Sequence, residues 1–253
     1  DFQGVTLRQA LRSIDYLGDF PCGHNQFAAF LEAHIEQGPV LEKNCKTIGV
    51  VTGVQGTRWY KAWLYGQDAH TGSTPMLGRR DALIAAARVI VAVQDIAQRH
   101  TPDAVATVGY IDNNPNSHNT IPGKVELAID VRHPDLRIQE VMEEELRTAI
   151  AQISDREHVD YELVRTVETP PVKFDDSCIK AVEYAARELG HEFQSITSGA
   201  GHDACHISKA IPTSMIFVPC EKGLSHNERE NVKKDDLAAG ADVLLHAILI
   251  LSE

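Results

Sequence analysis

No CxxC pair occurs among the five cysteines, Cys22, Cys45, Cys178, Cys205 and Cys220. The count is odd, so neither a disulfide framework nor a thiolate zinc site is suggested, and a reducing cytoplasm is the expected setting. Long apolar runs are missing too. The longest, Val243 to Leu251, is interrupted by His246 and is far too short to span a bilayer. Positive charge is scarce: 24 Lys and Arg against 36 Asp and Glu leave a formal net charge of −12 at pH 7. Such a surface repels a phosphate backbone, which argues against nucleic acid as a partner. No internal repeat, low-complexity tract or signal peptide is visible. The chain opens on Asp1 rather than Met, so its first residue is not expected to be the natural start.

What is present fits a soluble protein with a sizeable core. The 253 residues are 43% hydrophobic and 24% charged, enough for one large domain or two smaller ones. Phe27 to Ile35 reads as a buried strand, followed by a turn at Gly38-Pro39, and Ile48 to Val54 reads as a second strand. Arg58 to Tyr65 is aromatic and β-prone. Asp81 to Ala97 carries Leu83, Ala87, Ile90 and Val93 at helical spacing, and Ala104 to Tyr110 is a short strand. Lys124 to Arg132 alternates cleanly, with Val125, Leu127, Ile129 and Val131 on one face and Lys124, Glu126, Asp130 and Arg132 on the other. Ile138 to Ile153 is helical, with Val141, Met142, Ala149 and Ile150 on one stripe, and Val159 to Val167 is a strand. The order from about 57 to 168 is therefore β-α-β-β-α-β, a ferredoxin-like unit. A helix over Ser177 to Leu189, a strand over Thr213 to Val218 and a helix from about Asp236 to Leu251 follow. The predicted architecture is α/β: a larger domain from residues 1–56 and 169–253, into which a small lid, residues 57–168, is inserted.

Five places could carry chemistry, each weak alone. His34 lies near the C-terminal end of the first strand, where open α/β sheets bind ligands. His226, in Ser225-His226-Asn227-Glu228, follows the strand ending at Val218-Pro219. Both could offer imidazole nitrogens to a divalent metal, although single histidines in such places are more often satisfied loop residues. His70, in Ala69-His70-Thr71-Gly72-Ser73, sits in a tight polar entry to a helix, which plain turn chemistry also explains. Arg132 projects from the polar face of the alternating strand, with Asn119 in the loop before it; an arginine there is usually a solvated face residue, or else grips a carboxylate. The glycine-rich Ser198-Gly199-Ala200-Gly201-His202 loop allows close backbone approach to a ligand.

Together the segments HIEQGPVLE (34–42), AHTGSTPMLGRRDAL (69–83), NTIPGKVELAIDVRHPD (119–135), SGAGHDA (198–204) and MIFVPCEKGLSHNE (215–228) resemble, in order and spacing, the hydantoinase/carbamoylase family of the aminoacylase-type metallopeptidase clan. The resemblance covers essentially the whole chain. It implies metal-dependent hydrolysis of the ureido C–N bond of N-carbamoyl-L-amino acids by a metal-bound hydroxide, with allantoate as an alternative substrate. It implies two divalent metals per subunit, zinc first and manganese, cobalt or nickel as replacements, with His34 a ligand of one and His226 of the other. Gln37 would contact the ureido end, His70 would polarise the scissile carbonyl, and Asn119 and Arg132 would hold the carboxylate. Lid residues are expected to reach a partner's site, which makes a homodimer through the lid the expected assembly. One departure stands out. The family draws further metal ligands and a general base from an N-terminal third, and nothing in residues 1–33 matches it; Asp15, Asp19 and His24 are the only nearby candidates and are not assigned. The chain by itself is therefore expected to be inactive, with apolar surface exposed on the larger domain. A non-catalytic dimerising or ligand-binding remnant is the rival class.

Overall fold

A computed structural model describes residues 3–21, 23 and 25–252. His24 and Cys22 lie outside the described residues. The first helix, α1 (Leu7–Ser13), is capped by Thr6 and Gln9 reciprocally but buries none of its residues. Regular structure continues with β1 (Phe30–Ile35), the single turn α2 (Val40–Lys43) and β2 (Ile48–Val54). β3 (Gly56–Tyr65), β4 (Ala69–His70), α3 (Ala82–Arg99), β5 (Val105–Asn114), β6 (Thr120–Ile121), β7 (Lys124–His133), α4 (Leu136–Glu157) and β8 (Asp160–Thr169) come next. The chain closes with β9 (Val172–Lys173), α5 (Asp176–Glu188), β10 (Phe193–Ser198), α6 (Asp203–Ile207), β11 (Thr213–Val218) and α7 (Lys234–Ser252).

Two main sheets organise these elements. One is antiparallel in the order β5-β7-β3-β8, the strand order of a ferredoxin-like unit. Its alternation follows the sequence: Val125, Leu127, Ile129 and Val131 are buried against α3 and α4, while Lys124, Glu126, Asp130 and Arg132 leave the opposite face. Aspartates start the helices. Asp81 accepts from the Leu83 and Ile84 amides and Asp135 from those of Arg137 and Ile138, which satisfies otherwise orphaned first-turn donors. The helical stripes are rotated from the expected ones. Ala82, Ala85, Ala86, Val89 and Val93 face the sheet on α3, and Ala87 is exposed. On α4 the buried line is Met142, Leu146 and Ile150, and Val141 is 46% exposed. Small alanines let α3 sit close to the strands, so the larger Leu83 and Ile90 pack only partly, at the flank.

The second sheet has the order β1-β11-β2-β10, with β9 joined to β2. β11 is parallel to β1 and antiparallel to β2, and every one of its residues is buried. Helices α5 and α7 pack on this sheet through Ala181, Val182, Ala185, Val243 and Ala247. The expected buried strand over Phe27 to Ile35 needs correction. Pairing begins at Phe30, Phe27 is 62% exposed, and β1 is half-buried because it sits at the end of the strand order beside β11. On α7, Leu237, Leu245, Ile248 and Leu249 turn outward to solvent. β10 falls in a stretch whose sequence shows only the glycine loop that follows it. Among the described residues no helix is long and apolar enough to cross a membrane.

Candidate functional site

Because β1 and β11 run parallel in register, His34 opposite Phe217 and Ile35 opposite Val218, their carboxyl ends open at the same place. The turns that follow therefore meet there. Gln37 Nε2 donates to Ser225 Oγ at 2.9 Å. Gln37 and His226 both hold left-handed backbone, φ 59° and 55°, a conformation that costs a non-glycine residue on the order of 1 kcal/mol or more. Glu36 fixes the first of these turns. Buried, its carboxylate accepts the Val40 amide at 2.7 Å and the Leu41 amide at 2.8 Å, so it is committed to the backbone.

A cleft of about 960 Å³ lies at this junction. Gln37, Phe217, Ser225 and His226 line it from the larger sheet, Gly199 from the glycine loop, and Arg132 from the end of β7. The Gly199 carbonyl accepts from Gln55 Nε2 at 3.0 Å and from Arg132 Nη1 at 2.8 Å, which ties the glycine loop to the smaller sheet. Arg132 also grips Asp130 through Nε and Nη2.

His34 lines an adjoining hollow of about 430 Å³ together with Glu230. Its Nδ1 lies 2.9 Å from the Ile35 carbonyl, which can only accept, so Nδ1 carries a proton and, in the neutral ring, Nε2 holds the lone pair. His202 packs edge-on beneath His34, ring centroids 4.7 Å apart, and contacts Ser198 Oγ through Nε2 at 2.9 Å. Burial, and then the neighbouring charge of His34, lower its pKa to about 4 against an upward pull from Asp203. It is neutral at neutral pH and lies buried behind His34, lining neither cavity itself. Glu230 accepts the His226 amide at 3.1 Å. A hydrogen bond from Ser225, and after it the His226 amide and the charges of His226 and His34, hold its carboxyl below the usual range despite an opposing desolvation effect.

The structure thus brings Gln37, Arg132 and His226 to one cleft with His34 beside it. His70 and Asn119 are not among the residues lining that cleft. His70 stands on β4 opposite Thr120 of β6, and Asn119, just before β6, accepts the Thr71 amide on its carbonyl at 3.0 Å. His70 Nδ1 accepts the Gly72 and Ser73 amides at 3.1 and 3.2 Å, so its proton sits on Nε2, exposed at the surface. Asp15 and Asp19 are exposed and line no part of the cleft. Sequence reasoning gave no role to Asp130, His202, Ser225 or Glu230. His202 and Ser225 stand inside segments already singled out, and Asp130 lies two residues from Arg132 on one strand face; Glu230 carried no signal.

Fit to a divalent metal can be judged from the donors present. His34 offers a free Nε2 and His226 is exposed at the cleft, a chemically suitable pair for a mixed nitrogen and oxygen site. Among the described residues, no group of three or more His, Cys, Asp or Glu side chains is placed to hold a metal ion. The residues present therefore fit as part of a site. Burial pushes the Cys178, Cys205 and Cys220 thiols up, away from the thiolate form that binds metal.

The chain is 43% identical over 253 residues to an N-carbamoyl-L-amino-acid amidohydrolase of Rhizobium meliloti, covering 100% of this chain and 61% of that protein. It is 35% identical over 246 residues to an allantoate amidohydrolase of Escherichia coli K12, covering 96% of this chain and 60% of that one. A crystal structure of an amidase of the hydantoinase/carbamoylase family from Burkholderia multivorans superposes with a TM-score of 0.93 at 47% identity, over 99% of this chain and 61% of that chain. The chain spans about three-fifths of the length of these relatives. The profile of one family matches residues 9–250, and on that match the chain belongs to peptidase family M20/M25/M40.

Proposed function

We propose that the complete protein is a metal-dependent amidohydrolase that cleaves the carbamoyl C–N bond of N-carbamoyl-L-amino acids. The observation that carries this reading is the single cleft that gathers Gln37, Arg132 and His226, with His34 beside it, at the carboxyl ends of β1 and β11. Residues 1–56 and 169–253 form the metal-binding domain, and residues 57–168 the lid. His34 and His226 each give one nitrogen to a different divalent ion, zinc first, and the remaining ligands come from outside the described residues. When bound, the ions supply Lewis acidity and an activated water. Gln37 orients the ureido group, its amide held by Ser225. Arg132 holds the substrate carboxylate with the N–H groups that Asp130 and Gly199 leave free.

His70 donates from Nε2 to the scissile carbonyl oxygen and Asn119 assists at the carboxylate. Because both stand outside this chain's own cleft, they serve the partner's site in a homodimer built through the lid. Arg132, by contrast, serves its own chain. The four free cysteines among the described residues suit a reducing cytoplasm. The test is a substrate panel on the full-length, metal-loaded protein. N-carbamoyl amino acids should be hydrolysed faster than allantoate. Preference for allantoate would move the reading to the other amidohydrolase class named among its relatives. No turnover of any ureido compound would favour a dimerising or ligand-binding remnant.

A further inference from the structure

Asp130 and Arg132 stand two residues apart on β7, so both side chains leave the face turned away from α3 and α4. The guanidinium is held side-on. Nε donates to Oδ1 at 3.0 Å and to Oδ2 at 3.1 Å, and Nη2 donates to Oδ2 at 2.6 Å. Nη1 donates to the Gly199 carbonyl at 2.8 Å. Both side chains are only about a quarter exposed, 26% for Arg132 and 24% for Asp130, so this is a held pair rather than a loose surface contact, and Arg132 is the member that lines the cleft. A guanidinium has five N–H groups. Asp130 takes the one on Nε and one on Nη2, and Gly199 takes one on Nη1. One N–H on each terminal nitrogen remains, enough to grip a second carboxylate end-on.

We propose that Asp130 is a positioning residue for carboxylate recognition: it occupies the side-on edge of Arg132 and so presents the end-on edge to the cleft. The proposal rests on the reading of Arg132 as the carboxylate anchor. Two physical consequences follow. The arginine gives up its rotamer freedom before substrate arrives, so less is lost on binding. Its charge is also offset by Asp130, so recognition depends on direction as well as on sign, and stray anions are held less well.

The test joins spectroscopy on this chain to kinetics on the complete metal-loaded enzyme. The Arg132 Nε–Hε signal, assigned by its absence in Arg132→Lys, should be sharp and slow to exchange with water. Asp130→Ala should broaden or abolish it. A signal unchanged by Asp130→Ala overturns the positioning role whatever the kinetics show. In the enzyme, Asp130→Ala should raise KM for a carbamoyl amino acid about tenfold, with kcat changed by less than about threefold. The carboxamide analogue should be affected by less than about twofold, and sulfate should inhibit the variant at lower concentration than the wild type. Asp130→Glu should recover part of the loss. Added to Arg132→Ala, Asp130→Ala should cost nothing more, because it acts through that arginine. Equal losses on both substrates, or a full Asp130 effect without Arg132, overturn the proposal. Undiminished carboxylate preference in Arg132→Ala would overturn the anchor reading itself, while the Nε–Hε signal separately decides whether Asp130 holds the guanidinium.

Discussion

Glu36 shows how one residue of a functional-looking motif can serve the backbone alone. It lies between His34 and Gln37, yet both carboxylate oxygens accept amides of the following turn. Glu36→Gln keeps the shape but sets an NH₂ group against one of those amides. We expect a loss of about 1–3 kcal/mol of stability by denaturant titration. An unchanged midpoint would mean the turn is held by other contacts. Arg132 makes the opposite case, with donors left over. In the complete enzyme Arg132→Ala should cost about 2–4 kcal/mol in kcat/KM on a carboxylate substrate and little on its amide analogue, measured by steady-state kinetics on both. Equal losses would show that Arg132 only braces the Gly199 loop.

Among the elements, β3, α4 and β8 are joined by a polar cluster at the edge of the lid core. Glu143 accepts from Arg58 Nη1 at 2.9 Å, Tyr60 Oη at 2.8 Å and Arg165 Nη1 at 3.0 Å, and Arg147 reaches its other oxygen at 2.7 Å. Burial pushes the Glu143 carboxyl up; hydrogen bonds from Arg147 and Tyr60 and the charges of Arg165 and Arg147 outweigh that, and its pKa lies below the usual range. A carboxyl depressed in the folded state adds stability above its unfolded pKa, and that stability is lost as pH falls through the folded value. Glu143→Gln should lower stability by about 1–3 kcal/mol at pH 7, because it removes one of the two carboxylates that pair with the buried Arg58 and leaves Glu168 as the other. Below about pH 4.5 the wild type should lose melting temperature more steeply than the variant. Parallel melting curves from pH 7 to 3 would remove Glu143 as the acid-sensitive group.

At the scale of the molecule, β5 is an edge strand of ten residues with Tyr110 and Ile111 half exposed and Asp112 as its one charge, a ready template for strand pairing. The proposed lid-centred homodimer would cover it. Sedimentation at micromolar concentration should show a dimer, and Ile111→Lys should convert it to monomer without unfolding. A wild-type monomer sinks the assembly. The donor geometry makes a second demand. A catalytic zinc normally takes three protein ligands, and the described residues bring no such group together. Equilibrium dialysis of this 253-residue chain should find no tight stoichiometric zinc site, and the chain should turn over no ureido substrate. Two tightly bound ions with hydrolysis above background would place the ligands among residues given no role above.

Local pattern determined much of this protein. The alternation of Val125 to Val131 marked the central lid strand and its buried face, and β-α-β-β-α-β order led to the ferredoxin-like unit, because strand and helix periods are written into neighbouring residues. The motif set led to the family in the same way. Tertiary structure decided the rest. Which stripe of α3 turns inward depends on how closely its alanines let the helix approach the sheet, a property of the pair and not of the helix. That Gln37, Arg132 and His226 share a cleft while His70 and Asn119 do not follows from the parallel register of β1 and β11 and the position of β7 in its sheet. Spacing along the chain carries no distance between residues so far apart; only the packed sheets supply it.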